Sequence, residues 1–146
     1  ASRLKPGGVM AQWFHIYEMN DGIVQLVLRT FMQVFPHVEI WDASVGDVIL
    51  LGSMQPWPSN ADVYEKLRTH PLVRSDLERI GIHSGDAFWS RQLASQNTAH
   101  AVVPDGGIQS DLFPVLDYAA PKAFYLGSRS TFLNDFDERT WQSALA

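Results

Sequence analysis

Several groups of side chains in this 146-residue chain are of types that do chemistry. His15, Tyr17 and Glu18 offer nitrogen and oxygen donors to a metal, but they fall where a strand would run out into a loop. His37 and Glu39 are two apart, which puts both on one face of a strand and would make a ligand pair. Their plainer reading is a solvated sheet edge. Asp105, Asp111 and Asp117 carry hard oxygens for a cation, at a spacing that fits no calcium loop. They read as solvated loop acids. Ser84, Ser90 and Ser110 lack the G-x-S-x-G setting of a hydrolase nucleophile. Trp13, Trp41, Trp57, Trp89 and Trp141 suit a core or an interface, or, for one or two of them, a cation–π box. There is no cysteine, so disulfides, thiolate metal sites and Cys nucleophiles are excluded, and no compartment is identified.

The elements that must hold these residues start at Pro6-Gly7-Gly8, a tight reversal, after which residues 9–14 read as a buried strand. Asn20 or Asp21 would cap a helix through a side-chain oxygen. Ile23, Leu26, Val27, Thr30, Phe31, Val34 and Phe35 form its apolar face, and Pro36 ends it. Residues 37–41 alternate as a half-exposed strand, 42–46 turn, and 48–51 form a more apolar strand. A crossover helix of this length predicts a second strand parallel to the first, and the hairpin return then runs antiparallel. Residues 54–59 break the pattern. Short helices are expected over 61–69, capped by Asn60, from Pro71 to about 80 with Gly81 closing it, and over 86–94 behind Ser84. Leu72, Val73, Leu77 and Ile80 would face inward on the second of these. Residues 97–111 read as a long loop, 113–126 as extended chain interrupted by Pro114 and Pro121, and 133–145 as a last helix.

The net charge of −5 and the 18% of charged residues argue against a nucleic-acid phosphate binder. No run of roughly 18 apolar residues appears, so no membrane span is expected. The start of the chain has neither an initiator Met nor the basic-then-apolar layout of a leader, and it reads as a fragment or processed product.

Residues Arg3-Leu4-Lys5-Pro6-Gly7-Gly8-Val9, Gln12-Trp13, Arg29-Thr30-Phe31, Val34-Phe35-Pro36-His37, Trp41 and 46–53 together carry a resemblance. This stretch resembles the C-terminal part of the spermidine synthase-like (aminopropyltransferase) family, as in bacterial proteins fused to transporter-like membrane helices. The segment from Ser110 to Pro121 is similar, more loosely, to the tails of those proteins. The resemblance implies an α/β fold: the C-terminal portion of a class I S-adenosylmethionine methyltransferase-like (Rossmann-like) sheet with an antiparallel last hairpin, plus an α-helical tail. Residues 1–53 would be the C-terminal half of the Rossmann-like domain and 54–146 a helical and extended tail. The family's seventh strand inserts between its fifth and sixth.

The family transfers an aminopropyl group from decarboxylated S-adenosylmethionine to a diamine, using a nucleoside site and an acid placed before the region matched here. This chain has no G-x-G-x-x-G, and Gly7-Gly8 precedes a strand, not a helix. The expectation is therefore a piece that neither binds the nucleoside nor catalyses transfer alone. Gln12 matches a glutamine beside the family's polyamine site and would bond a substrate ammonium. The acid found two positions further on is Phe14 here, and Asp42-Ala43-Ser44-Val45 replaces a Tyr-containing turn. A sheet cut at its fifth strand exposes an unpaired edge, so a homo-oligomer or a missing N-terminal half is expected. The competing expectation is a non-catalytic binding or assembly module of a membrane-associated protein.

Overall fold

The computed structural model describes residues 1–44, 46–58 and 62–135. Its sheet is built from β1 (Met10–His15), β2 (His37–Ser44), β3 (Asp47–Ser53) and β4 (Gln92–Ala94), in the order β1-β3-β2-β4. Every pairing is antiparallel. β1 and β2 both run against β3, so they run in the same direction with β3 between them. The fold is thus mixed α/β, and the expected hairpin return does separate the two co-directional strands.

Helix α1 (Asp21–Val34) makes the crossover. The Asn20 side chain accepts the Ile23 N–H at 3.0 Å, and Pro36 follows the C-cap Phe35. Val24 and Leu28, outside the expected apolar face, are its most deeply buried residues, whereas Val34 is 44% exposed. They pack with Val38, Ile40, Val48 and Leu50. Gly52 fixes how close the layers come: a Cβ there would lie 2.6 Å from the Phe31 ring and 2.7 Å from that of Phe35. The same core takes in Leu93, Ala94, Ala99, Phe132 and Leu133 from later in the chain.

β1 is an edge strand, not a buried one. Val9, Met10 and Trp13 are exposed, and only Phe14 within the strand is buried. β2 outruns its expected end and closes on β3 at Ser44↔Asp47, with an irregularity between Asp42 and Ser44. α2 (Val63–Arg68) is shorter than the stretch expected, and its expected cap Asn60 lies outside the described residues. α3 (Pro71–Arg79) ends as expected at Gly81, whose φ is 80°. There the Ile82 N–H reaches the Leu77 carbonyl and the Gly81 N–H that of Glu78, a double closure that suits a residue free to adopt positive φ. Leu72 and Ile80 nonetheless face solvent.

Three later expectations are corrected. Ser84 does cap a helix, α4 (Gly85–Trp89), but the chain then turns and 92–94 become β4, because the edge of β2 offers backbone partners at Ile40 and Trp41. The 97–111 loop contains α5 (Ala99–Val102). Residues expected to be extended form α6 (Val115–Tyr125): Pro114 sits outside as N-cap, and Pro121 is carried within a run of helix-forming Ala and Lys. Of the last expected helix only α7 (Phe132–Asp135) is described; the remainder lies outside the described residues. No described helix is long and apolar enough to cross a membrane.

Candidate functional site

Cross-strand partners share a face, so the register sorts the candidate residues. Gln12, Phe14, Leu50, Val48, Val38 and Ile40 lie on the α1 face. Ala11, Trp13, Ile49, Leu51, Glu39 and Trp41 lie on the other. Gln12 and Glu39 are therefore kept apart by the sheet itself.

The second face holds a buried carboxylate. Glu39 is only 4% exposed. Its Oε2 accepts the Trp41 indole N–H at 2.9 Å. Its Oε1 accepts the Trp57 indole N–H at 3.1 Å and the Gln96 amide at 3.3 Å. Gln96 also donates to the Trp57 carbonyl at 3.0 Å and accepts its N–H at 3.4 Å. Burying a carboxylate is costly unless its oxygens are bonded, and here the donors among the described residues are neutral. Among the described residues no ion pair involves Glu39. The expected solvated edge is corrected: β2 is covered by the 54–58 segment and by α4, whose Phe88 and Trp89 rings lie 5.3 and 5.8 Å from Trp41. With both oxygens occupied and no open solvent, Glu39 is a fastening point between β2, Trp57 and the chain after β4, not a free base.

Trp13 on the same face is 53% exposed. It starts a row along β1 in which Trp13 and His15 rings lie 5.7 Å apart and His15 stacks on Tyr17 at 4.5 Å. Among the described residues no strand pairs with the other side of β1. Ile16 N–H donates to the Gly46 carbonyl and the Gly8 carbonyl accepts from Ser53, so the even-numbered groups face β3. The alternation turns those of Ala11, Trp13 and His15 outward.

Gln12 sits at this edge, exposed, and its amide donates to the Trp13 carbonyl at 2.7 Å. Among the described residues no polar side chain is bonded to it. Phe14, at the position where the resemblance implies an acid, is buried in the core. The other candidates serve local structure. Ser84 caps α4, the Ser90 hydroxyl donates to the Ala87 carbonyl, and the Ser110 hydroxyl accepts the Phe113 N–H. Asp105, Asp111 and Asp117 are exposed and separate. Among the described residues no three His, Asp or Glu come together as a metal site would require. Trp141 lies outside the described residues.

The 104–107 stretch is strapped to α1. Arg29 Nε donates to the Gly107 carbonyl at 2.7 Å, and the Thr30 hydroxyl accepts the Gln109 N–H at 2.8 Å. Asp21, the other predicted cap, works across the chain instead: its Oδ1 accepts the Ser130 hydroxyl at 2.6 Å and the N–H groups of Thr131 and Phe132. The Ser130 bond, ahead of the two backbone bonds and against the opposing effect of burial, lowers its pKa below 3.8. Comparison of the chain with known protein families, with curated proteins and with solved structures finds no match to any of them.

Proposed function

We propose that the chain is the closing, C-terminal part of a spermidine synthase-like transferase domain. The parent transfers an aminopropyl group from decarboxylated S-adenosylmethionine to a polyamine. The observation that carries this reading is the strand order: β3 lies antiparallel between β1 and β2, with α1 as the crossover, as the resemblance implies for the last three strands of that sheet. The open edge of β1 is where such a sheet continues. In this reading the nucleoside site and the acid lie outside the 146 residues, and Gln12, released from the Trp13 carbonyl, turns its amide oxygen to a substrate ammonium. This chain alone neither binds the nucleoside nor transfers the group. The test is calorimetry on the full-length parent with S-adenosylmethionine and with its decarboxylated form. Heat with the decarboxylated form supports the reading; no heat with either rejects it.

A second reading is a non-catalytic assembly module of a membrane-associated protein. It is favoured by the apolar surface around α6, where Leu112, Phe113, Tyr118, Phe124, Tyr125 and Leu126 are all more than half exposed. Such a patch is larger than scattered surface apolar residues require. A parent that assembles normally but gives no heat with either nucleoside would favour this second reading.

A further inference from the structure

Helices α2 and α3 and the 82–83 segment ahead of α4 line a hollow of about 110 Å³, away from the sheet. Its apolar lining is Leu77 and Ile82, and its polar lining is Tyr64, Arg68, Arg74, Glu78 and His83. Tyr64 is held in place: its ring lies 5.8 Å from that of Phe88, and the Arg68 guanidinium stands 5.8 Å from its centroid. Only 5% of Tyr64 is exposed. A buried tyrosine hydroxyl ordinarily finds a hydrogen-bond partner, yet this one has none among the described residues. Nor is it sealed. Asp47 Oδ1 and Gln92 Nε2 are the side-chain atoms there that are both fully buried and unbonded, so the Tyr64 hydroxyl keeps accessible surface. Arg68 meets Glu65 at only 3.7 Å, and both side chains are largely exposed, a pair that contributes little and yields readily. The Arg74 and His83 side chains have no hydrogen bond or ion pair among the described residues.

We infer that this hollow binds a phosphate group, as the free ion or as the end of a small monoester. Arg68 and Arg74 bring guanidiniums from two different helices to one space, and a guanidinium offers phosphate oxygens paired N–H donors. The Tyr64 hydroxyl adds a neutral donor that no described residue uses, and the His83 ring can add another. Donors from four side chains suit a tetrahedral oxyanion better than a carboxylate, which has only two oxygens. The lining holds two guanidiniums against the one carboxylate of Glu78, so an anion answers the excess, while Glu78 repels it and keeps the affinity modest. The volume suits a group of this size and lies below the ~300 Å³ that larger ligands need. The inference does not depend on the transferase reading.

The experiment is a titration of the isotope-labelled chain followed by amide and arginine side-chain NMR signals. The probes are inorganic phosphate and glycerol 3-phosphate, with sodium acetate and sodium chloride at matched ionic strength as controls. Both phosphates are expected to give saturable shifts at the Arg68 and Arg74 Nε–H signals and at the amides of 82–84. Tighter binding of inorganic phosphate marks the free ion as the ligand, and tighter binding of glycerol 3-phosphate marks a monoester end. Arg74→Met, checked as folded by its spectrum, weakens phosphate about tenfold or more, the loss of one charge-assisted bond. Tyr64→Phe keeps the ring against Phe88 and removes only the hydroxyl, and it too weakens phosphate. Glu78→Gln tightens it, since a repelling charge is gone. The proposal is overturned by the absence of saturable shifts, by acetate or chloride acting as well as phosphate, or by folded Arg74→Met and Tyr64→Phe chains that bind phosphate unchanged.

Discussion

Replacing Glu39 by Ala tests the idea that a buried carboxylate fastens the later chain to the sheet. The change removes an acceptor held by indole N–H groups at 2.9 and 3.1 Å and by an amide at 3.3 Å. Hydrogen bonds to a charged group contribute about 1.5–3 kcal/mol each, and an orphaned buried donor costs about 1–3 kcal/mol. The carboxylate's own burial offsets part of this, and water entering the gap recovers more. The long amide bond counts for little, which leaves a net loss of about 2–4 kcal/mol. Glu39→Gln should cost less, about 1–3 kcal/mol, because one acceptor survives while its NH₂ faces an indole N–H. Urea unfolding followed by far-ultraviolet circular dichroism gives the stability. Tryptophan emission, read separately, should shift red as Trp57 is released. Trp57→Phe combined with Glu39→Gln should show coupling, since the two changes remove one shared bond. A Glu39→Ala loss below about 0.5 kcal/mol with unchanged emission would refute the argument, since surface substitutions do no more than that.

Other perturbations read different parts of the fold. Gly52→Ala drives a methyl into the Phe31 and Phe35 rings at 2.6–2.7 Å, and should destabilise by about 1–3 kcal/mol in urea unfolding. Asp21 has a lowered pKa in the fold, so its contribution is complete above the unfolded value of 3.8 and fades as pH falls through the lower folded one. The stability gap between the wild type and Asp21→Asn should therefore narrow below about pH 4 in an acid titration; a gap that widens there contradicts the sign. At the β1 edge, light scattering should find the chain self-associating at high concentration, with Ala11→Pro monomeric and still folded, since that N–H faces outward. Gln12→Pro should unfold β1 instead, and a wild-type chain that stays monomeric counts against a pairing edge.

Much of the first third of the fold is legible in the residues. Asn20 and Pro36 bound α1 because a side-chain acceptor and a missing N–H act locally. Gly81 marks the end of α3 for the same kind of reason, the cost of positive φ for other residues. Other features escape local reasoning. Glu39 alternates with Val38 and Ile40 like any outward polar residue, and nothing near it announces that Trp57 and Gln96 will cover it. Leu93 and Ala94 continue a helical pattern until the free edge of β2 claims their backbone. Pro121 signals a break, yet its neighbours keep the helix. Gln12 keeps its place on the strand, but whether it meets another polar group depends on a neighbour across an open edge.

The sequence by itself determined the strand–helix–hairpin unit, its caps and its lack of thiol chemistry, because propensity, capping and composition act over a few residues. Tertiary structure alone decided which strand stands at the edge, which carboxylate is buried among indoles, and that Asp42, Asp47, Arg91 and Arg129 surround one hollow. Those outcomes rest on contacts between residues distant in the chain, and no local pattern encodes which distant segment will arrive.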